Sequence, residues 1–464
     1  MHYQSLTETA RQLRAGERSS VELTEHMLER IKLLDASLRC YSLVTSDSAL
    51  ERAANLDKHQ CEGGSLGTLH GVPIGVKDLL ATAGVVTASG TKVMRDHVPL
   101  ENATVVARLL EAGAVILGKT QLTEGAYGNH HPDIPVPVNP WNADLWSGVS
   151  SSGSGVSVAA GLAFGTLGSD TGGSIRFPSA ANHLVGLKPT YGRVSRHGVF
   201  PLAPSLDHVG PMTRTVSDAA HVLQVVAGYD FQDENSIEAP VPDYLEAVAE
   251  GQRGLGDLTI GVDWRYVSTG VAAEVVRTVT ESLDKLVSLG ARVVDVEMPR
   301  DYRFLVSNWV ITCAVECALV HEALYNEHKS LYGPDLKRLI ELGRRCGMAQ
   351  YSALERMRER FRDSLDDLFG QVDLLICPTI PINAPTNQQM HKRTIEGDEA
   401  ADFLTFTAPF NYSGHPSITL PAGMDDAGRP TSFQLVGGTL TEATLLRAGA
   451  AYEQTHATFG YPSL

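Results

Sequence analysis

Apolar residues follow two alternating patterns along the N-terminal part of the chain. They first recur close to helical spacing, at Val21, Leu23, Met27, Leu28, Ile31 and Leu34. This pattern predicts helices over residues 1–60, with Ser19 or Ser20 as a helix cap. The uninterrupted run 71–76 (GVPIGV) predicts a short buried strand that ends at Lys77. A helical pattern over 104–112 and a second strand, AVILG, follow, so the alternation predicts an α/β layer fold.

The same alternation continues through the second half of the chain. A helical pattern over 271–289 lies between two runs typical of strands, 258–264 and 291–299. Helical spacing dominates 307–369, and three late strands at 373–381, 417–423 and 431–438 precede a closing helix at 441–454. Because no internal repeat or linker interrupts the pattern, we predict one large domain, 1–464, with a helical insertion at about 300–370.

The segment from Ser147 to Pro178 is dense in serine and glycine, and it reads SGVSSSGSGVSVAAGLAFGTLGSDTGGSIRFP. Such a composition is typical of flexible linkers. The segment also carries core-forming residues, however: Val156, Val158, Leu162, Phe164, Leu167 and Ile175. Glycine within an ordered apolar stretch indicates a backbone brought close to a ligand. Hydroxyl groups among such glycines indicate nucleophilic chemistry.

Ser174 directly follows Gly172 and Gly173. Two glycines allow backbone N–H groups to converge on one point, which forms a nest for the oxyanion of a tetrahedral intermediate. An ordinary turn in which Ser174 caps a helix explains the same residues equally well.

A serine nucleophile requires a base, and histidine is the usual one. His183, His197 and His208 lie downstream, but none has a distinctive spacing to Ser174, and the chain has no GxSxG motif. Lys77 is the alternative, because it ends an apolar strand and burial lowers the pKa of a lysine. A lysine that reaches the surface or pairs with Asp78 is the competing interpretation.

Charge and cysteine usage restrict the class of protein. The formal net charge of −16 argues against a nucleic-acid partner, and no basic block suits an anionic membrane. The N-terminus has no apolar signal-peptide core and no apolar run is expected to span a membrane, so we expect a cytoplasmic enzyme. The six cysteines are scattered, and Cys313 and Cys317 share one helix face as buried small residues.

VPIGVKD, GVSSSGS and GSDTGGSIRFP occur in that order, and together they resemble the amidase signature family. Later segments resemble the family as well: LEAGAVILGKTQLTE, NPW, VGLKPTYGRVSRHGVFPLAPSLDHVGPMTRTVSDAA, NYSGHPSITLPAG and FQLVG. The resemblance covers a catalytic core at about 65–220 and a C-terminal part at about 370–464, with a variable middle. It implies a mixed central β-sheet flanked by helices on both faces. The implied activity is hydrolysis of a carboxamide C–N bond through a serine acyl-enzyme, without metal or other cofactor.

The resemblance also assigns roles to individual residues. It makes Ser174 the nucleophile, Ser150 a bridging serine that follows a cis peptide bond, and Lys77 the base. It places the oxyanion at the backbone N–H groups of Thr171, Gly172, Gly173 and Ser174. It implies a supporting network of Ser151, Asp170 and Arg176, in which Arg176 pairs with a buried carboxylate.

Two positions depart from the family pattern. The usual Gly-Gly-Ser-Ser-Gly-Gly-Ser is here Gly148-Val149-Ser150-Ser151-Ser152-Gly153-Ser154. Val149 adds a branched side chain beside the bridging serine, and Ser152 replaces a glycine. The three triad residues are present, so we expect local repacking of this loop. Ser169 in place of the usual threonine is a milder change.

The substrate is a small-molecule amide, and the sequence leaves its identity open. The segment 127–146 is expected beside the catalytic loop, with candidate substrate contacts at Tyr127, His130, His131 and Trp146. The two histidines with Asp133 are an alternative metal site, and a proline-stiffened surface loop is the simpler explanation.

Four further functions are compatible with the same sequence. They are the glutaminase subunit of a tRNA-dependent amidotransferase, a hydrolase of urea-like amides, a silent scaffold, and a thiol enzyme that uses Cys317 or Cys377. The middle region has no Ser-Asn-Leu and Asp-Gly segment of the kind typical of the glutaminase subunits, which favours a stand-alone amidase. The helical N-terminus is a candidate contact in a homodimer.

Overall fold

The computed structural model describes residues 1–256, 258–395, 399–455 and 460–464. Within these ranges eleven strands form one mixed sheet, in the spatial order β1-β3-β2-β4-β6-β5-β10-β11-β9-β7-β8. Their bounds are β1 Tyr41–Val44, β2 Pro73–Lys77, β3 Val115–Thr120, β4 Gly165–Asp170, β5 Val185–Lys188, β6 His208–Thr213, β7 Thr259–Val262, β8 Arg292–Asp295, β9 Leu374–Cys377, β10 Ser417–Met424 and β11 Pro430–Gly437.

Helices make up about half of the remaining described chain and pack on the sheet. They are α1 Leu6–Arg14, α2 Ser20–Leu38, α3 Ser46–Cys61, α4 Thr104–Glu111, α5 Ser152–Ala159, α6 Arg176–Ala181, α7 Val216–Val226, α8 Tyr244–Gly251, α9 Trp264–Ser268, α10 Ala273–Ser288, α11 Tyr302–Val320, α12 Glu322–His328, α13 Pro334–Gly343, α14 Met348–Phe369, α15 Asn387–Ile395, α16 Glu399–Leu404, α17 Ala408–Tyr412 and α18 Glu442–Glu453. The fold is therefore the predicted mixed sheet between helical layers.

The buried strands explain why the apolar runs were informative. Every residue of β2, β3 and β4 is buried, which requires cover on both faces. Strand β2 pairs in parallel with β3 and β4, so the carboxyl ends of these strands meet at one edge of the sheet. Lys77 and Asp170 are the last residues of β2 and β4. The topology thus brings the two distant motifs of the sequence to the same edge.

Two local expectations differ from the structure, and a third is confirmed. Residues 41–44 form strand β1 inside the segment predicted to be helical, because they pair with β3 at the sheet edge. Trp264 begins helix α9 instead of ending β7, since the Asp263 side chain caps that helix. The predicted cap at Ser19 is confirmed: its hydroxyl accepts the backbone N–H of Glu22 at the start of α2.

Helix α11 corrects the expectation that no apolar run reaches membrane-spanning length. Its 19 residues are long and apolar enough to span a membrane by composition. In the fold this helix packs against α13, α14 and α17, with residues such as Leu305, Cys313 and Cys317 buried. A helix that packs on several neighbours is apolar around much of its circumference, which gives it the composition of a membrane span.

Candidate active site

Lys77 ends strand β2 in the interior of the protein, with 0% of its surface exposed. Its Nζ donates to the hydroxyl of Ser150 at 2.7 Å and to the hydroxyl of Ser169 at 2.9 Å. Ser169 lies on β4, the parallel neighbour of β2. Sequence reasoning assigned Ser169 no role, because only the pairing of two strands far apart in the chain brings it to the lysine. Lys77 therefore neither reaches the surface nor makes an ion pair with Asp78.

The loop before α5 presents the bridging serine. The peptide bond between Val149 and Ser150 is cis. Gly148 has a φ of 87°, and a Cβ at this position would lie 2.3 Å from the Cα of Pro178. The Ser151 N–H donates to the carbonyl oxygen of Ser174 at 3.3 Å, which ties this loop to the second serine motif. The Ser151 hydroxyl donates to the Ser169 carbonyl at 3.2 Å.

Asp170 organises the turn that carries Ser174. Its carboxylate accepts the N–H groups of Gly173 at 2.8 Å and Ile175 at 3.1 Å. Gly173 therefore differs from the expectation, because its N–H points at the carboxylate and is not free for an oxyanion. Among the described residues, the N–H groups of Thr171, Gly172 and Ser174 have no acceptor. Three N–H groups of the turn are therefore available to an oxyanion. The hydrogen bonds of Gly173 and Ile175 to Asp170 hold the turn in this conformation.

Arg176 pairs with Asp170, and both side chains are completely buried. Two guanidinium nitrogens donate to the carboxylate, at 3.0 and 2.9 Å. Asn411, 241 positions from Asp170 along the chain, donates to the same carboxylate and was not identified from the sequence. Burial alone raises the pKa of Asp170, but Arg176 and Asn411 outweigh burial and hold this pKa well below its ordinary value.

The hydroxyl of Ser174 faces open space. Ser174 is 9% exposed, and among the described residues its Oγ has no hydrogen-bond partner and remains accessible. It does not cap α6, whose N-cap residue is Ile175. The structure thus contains the Lys77 to Ser150 hydrogen bond of the implied relay. A hydrogen bond between Ser150 and Ser174 is absent from the part of the chain that is described.

Burial determines the protonation of Lys77. Loss of water around the ammonium lowers the pKa of Lys77 to about 7, although the negative charges of Asp170 and Asp207 oppose this effect. A neutral amine can accept a proton from the Ser150 hydroxyl, with Ser169 accepting a hydrogen bond from the same nitrogen. The geometry therefore places an amine with a lowered pKa within hydrogen-bonding distance of the Ser150 hydroxyl.

The downstream histidines do not enter this arrangement. His208 is buried, and its Nδ1 lies 2.7 Å from the Leu206 carbonyl oxygen. Burial lowers the pKa of His208 far below its usual value. His183 packs edge-on against Trp141, and neither it nor His197 lines the cavity at Ser174. The cysteine alternatives also lie elsewhere, with Cys317 and Cys377 buried in the core.

A cavity of about 590 Å³ opens over Ser150 and Ser174. Two groups of aromatic rings line this cavity, one beside Gly172 and the other beside Gly173. A Cβ at Gly172 would lie 2.6 Å from the Trp309 ring, and one at Gly173 would lie 2.5 Å from the Phe177 ring. In the first group, Trp309 stacks on Tyr127 with ring centroids 6.1 Å apart. In the second group, Phe177 packs against Trp146 and Phe403, and Val149 contacts this cluster.

Three of the four candidate substrate contacts line the cavity, and the fourth, His131, is buried outside it. Tyr127, His130 and Trp146 line the cavity. His131 does not, because its Nδ1 accepts the Asp133 N–H within its own loop. Asp133 pairs with Lys92, with a distance of 2.6 Å between Nζ and Oδ2. These side chains do not converge on a metal site, and the described ranges contain no group of three His, Cys, Asp or Glu side chains that could hold a metal ion.

The fold and the site define a hydrolase with an acyl-transfer site, in which an accessible serine lies beside backbone donors and a buried lysine. Comparison with known proteins identifies the family to which this hydrolase belongs. The sequence model of the Amidase family matches residues 22–446. The chain therefore belongs to the Amidase family, and it is an amidohydrolase.

Relatives of known name cover nearly the whole chain. AmiD of Mycobacterium tuberculosis, which is named as an amidase, is 44% identical over 465 residues, covering 97% of this chain and 93% of the relative. The A-type subunit of the glutamyl-tRNA(Gln) amidotransferase of Myxococcus xanthus is 38% identical, covering 97% of both chains. The crystal structure of a bacterial aryl acylamidase of the amidase signature family superposes with a TM-score of 0.86 at 26% identity, covering 98% of this chain and 96% of the other.

Proposed function

We propose that the chain hydrolyses a small carboxamide through an acyl-enzyme on Ser174, with Ser150 as proton relay and Lys77 as base. The observation that carries this proposal is the 2.7 Å hydrogen bond between Lys77 Nζ and Ser150 Oγ in a fully buried environment. A buried lysine with a lowered pKa that donates to a serine hydroxyl suits proton transfer to and from that hydroxyl.

The proposed reaction uses these groups in turn. Neutral Lys77 takes the Ser150 proton as Ser150 takes the proton of Ser174, and Ser174 Oγ bonds to the amide carbon. The N–H groups of Thr171, Gly172 and Ser174 stabilise the resulting oxyanion. The C–N bond then breaks, Ser150 protonates the departing nitrogen, and Lys77 returns its proton to Ser150. Water attacks the ester by the same relay, which releases the carboxylate and restores Ser174.

We infer a stand-alone amidase, with the glutaminase subunit of a tRNA-dependent amidotransferase as the second candidate. The aromatic walls around the glycine turn favour an apolar acyl group. The amidotransferase relative, identical at 38% of positions, supports the second candidate. A urea-like amide is a further substrate class that the same relay would accept. We also propose a cytoplasmic enzyme that requires no nucleic acid, membrane or cofactor, with a homodimer as its candidate assembly.

An amide panel tests the proposal. Acetamide, benzamide, an anilide, urea and glutamine are assayed for release of ammonia or amine by wild-type protein and by Ser174→Ala. We expect hydrolysis of benzamide to fall at least 10³-fold in the variant, with unchanged circular dichroism. Fluorophosphonate labelling followed by peptide mapping locates the nucleophile independently. Activity of Ser174→Ala at the wild-type level, or a label on cysteine, would refute the assignment, and hydrolysis of glutamine alone would favour the second candidate.

A further inference from the structure

Ser152, one of the two departures from the family pattern, faces a histidine of the substrate cavity. Ser152 is the first residue of α5 and is completely buried. Its Oγ lies 3.0 Å from Nε2 of His130. A glycine at this position would leave Nε2 without that partner. The hydroxyl that distinguishes this chain therefore makes a specific contact with a residue that lines the cavity.

His130 retains one free ring nitrogen. Its Nδ1 has no hydrogen-bond partner among the described residues and is not buried. Burial, and then the positive charge of Lys77, lower the pKa of His130 to about 4, so the ring is neutral when Lys77 is an effective base. If Nε2–H donates to the Ser152 hydroxyl, Nδ1 is a hydrogen-bond acceptor available to a substrate.

The position of this nitrogen suggests which part of the substrate it meets. The departing nitrogen of the amide must lie toward Ser150, because Ser150 supplies its proton. His130 lines the same cavity as Ser150 and Ser174, so its ring faces the space that a bound amide would occupy. An acceptor there suits the N–H of a carboxamide and has no partner in an ester.

We propose that Ser152 is a positioning residue that orients His130, so that Nδ1 of His130 accepts the N–H of the scissile amide and selects amides over esters. This inference rests on the proposed function, since it assumes attack by Ser174. It assigns the leaving-group specificity of the site to a pair that a glycine at position 152 could not form.

The test compares an amide and an ester that share one acyl group. Values of kcat/KM for benzamide and methyl benzoate are measured with wild type, Ser152→Gly, Ser152→Ala, His130→Leu and the double variant Ser152→Gly/His130→Leu. We expect kcat/KM of both Ser152 variants to fall about tenfold for benzamide and less than about threefold for methyl benzoate. Because Ser152 acts through His130, the double variant should be no worse on benzamide than His130→Leu alone.

The outcomes separate this inference from the proposed function. The positioning role of Ser152 would be overturned if kcat/KM fell equally for the amide and the ester. It would also be overturned if the effects of Ser152→Gly and His130→Leu on benzamide were fully additive in the double variant. Unchanged benzamide turnover in Ser152→Gly and Ser152→Ala would overturn it as well. If the wild type hydrolyses neither compound and Ser174 resists fluorophosphonate, the proposed function fails, and this inference fails with it. Thermal melting of each variant verifies that the protein is folded.

Discussion

The base function of Lys77 predicts a specific pH dependence. An ordinary lysine has a pKa of 10.5, whereas burial lowers the pKa of Lys77 to about 7. At pH 7 the neutral fraction is then about one half, compared with about 1 in 3000 for the ordinary value. Since the neutral amine is the active form, activity should rise with pH and reach a plateau about two pH units above 7. At pH 5 it should be about 1% of the plateau.

The rate of Ser174 labelling by a fluorophosphonate, measured from about pH 5 to 9, reports this dependence directly. We expect the labelling rate to rise with pH in a single step, the rising limb of the profile, with its midpoint near pH 7. Two buried carboxyl groups complicate the interpretation, because burial also raises the pKa of Glu124 to about 7 and that of Asp207, which accepts the Thr171 hydroxyl, to about 6. The Glu124 carboxylate accepts the Gly333 N–H and the Thr91 hydroxyl, and Glu124 does not line the cavity at Ser174. Glu124→Gln should therefore keep the limb, and Lys77→Met should lose most of the labelling at every pH.

Two results would refute the reasoning. A limb centred near pH 10 would mean that Lys77 retains an ordinary pKa and is not desolvated. A limb near pH 7 that persists in Lys77→Met would assign the titration to another group. His130 should not contribute in this range, because its pKa is lowered to about 4.

Two further predictions concern the structures that hold Ser174 and Ser150. Asp170→Asn leaves the buried Arg176 charge without its partner, so urea unfolding should show a loss of about 3–5 kcal/mol. Glu8→Ala, which removes an exposed partner of Arg11, should cost far less, and similar losses in both variants would contradict this expectation. Gly148→Ala should reduce kcat/KM at least tenfold, because its Cβ would meet Pro178. Gly63→Ala also has a positive φ but open space around it, and an equal loss of activity there would exclude a specific role of Gly148.

The sequence alone was enough to identify the candidate site residues and to predict much of the secondary structure. The apolar run before Lys77 predicted a buried strand, because periodicity and burial are local properties, and a desolvated amine was one of two interpretations of the lysine that ends it. The two glycines before Ser174 predicted a turn, because a residue without a Cβ allows the backbone to bend sharply. The residues of this turn and the neighbouring serine loop also carried the family resemblance, which the comparisons confirmed.

Only the tertiary structure decided which groups meet. Ser169 contacts Lys77 because β4 pairs with β2, and the Trp309 indole donates to the Thr171 carbonyl across 138 positions of sequence. Asp170 takes the N–H of Gly173, which removed one expected donor from the nest. The sequence marked Ser152 only as an irregularity, and the fold supplied His130 as its partner. Such contacts depend on the packing of distant elements, and local patterns of polar and apolar residues do not encode that packing.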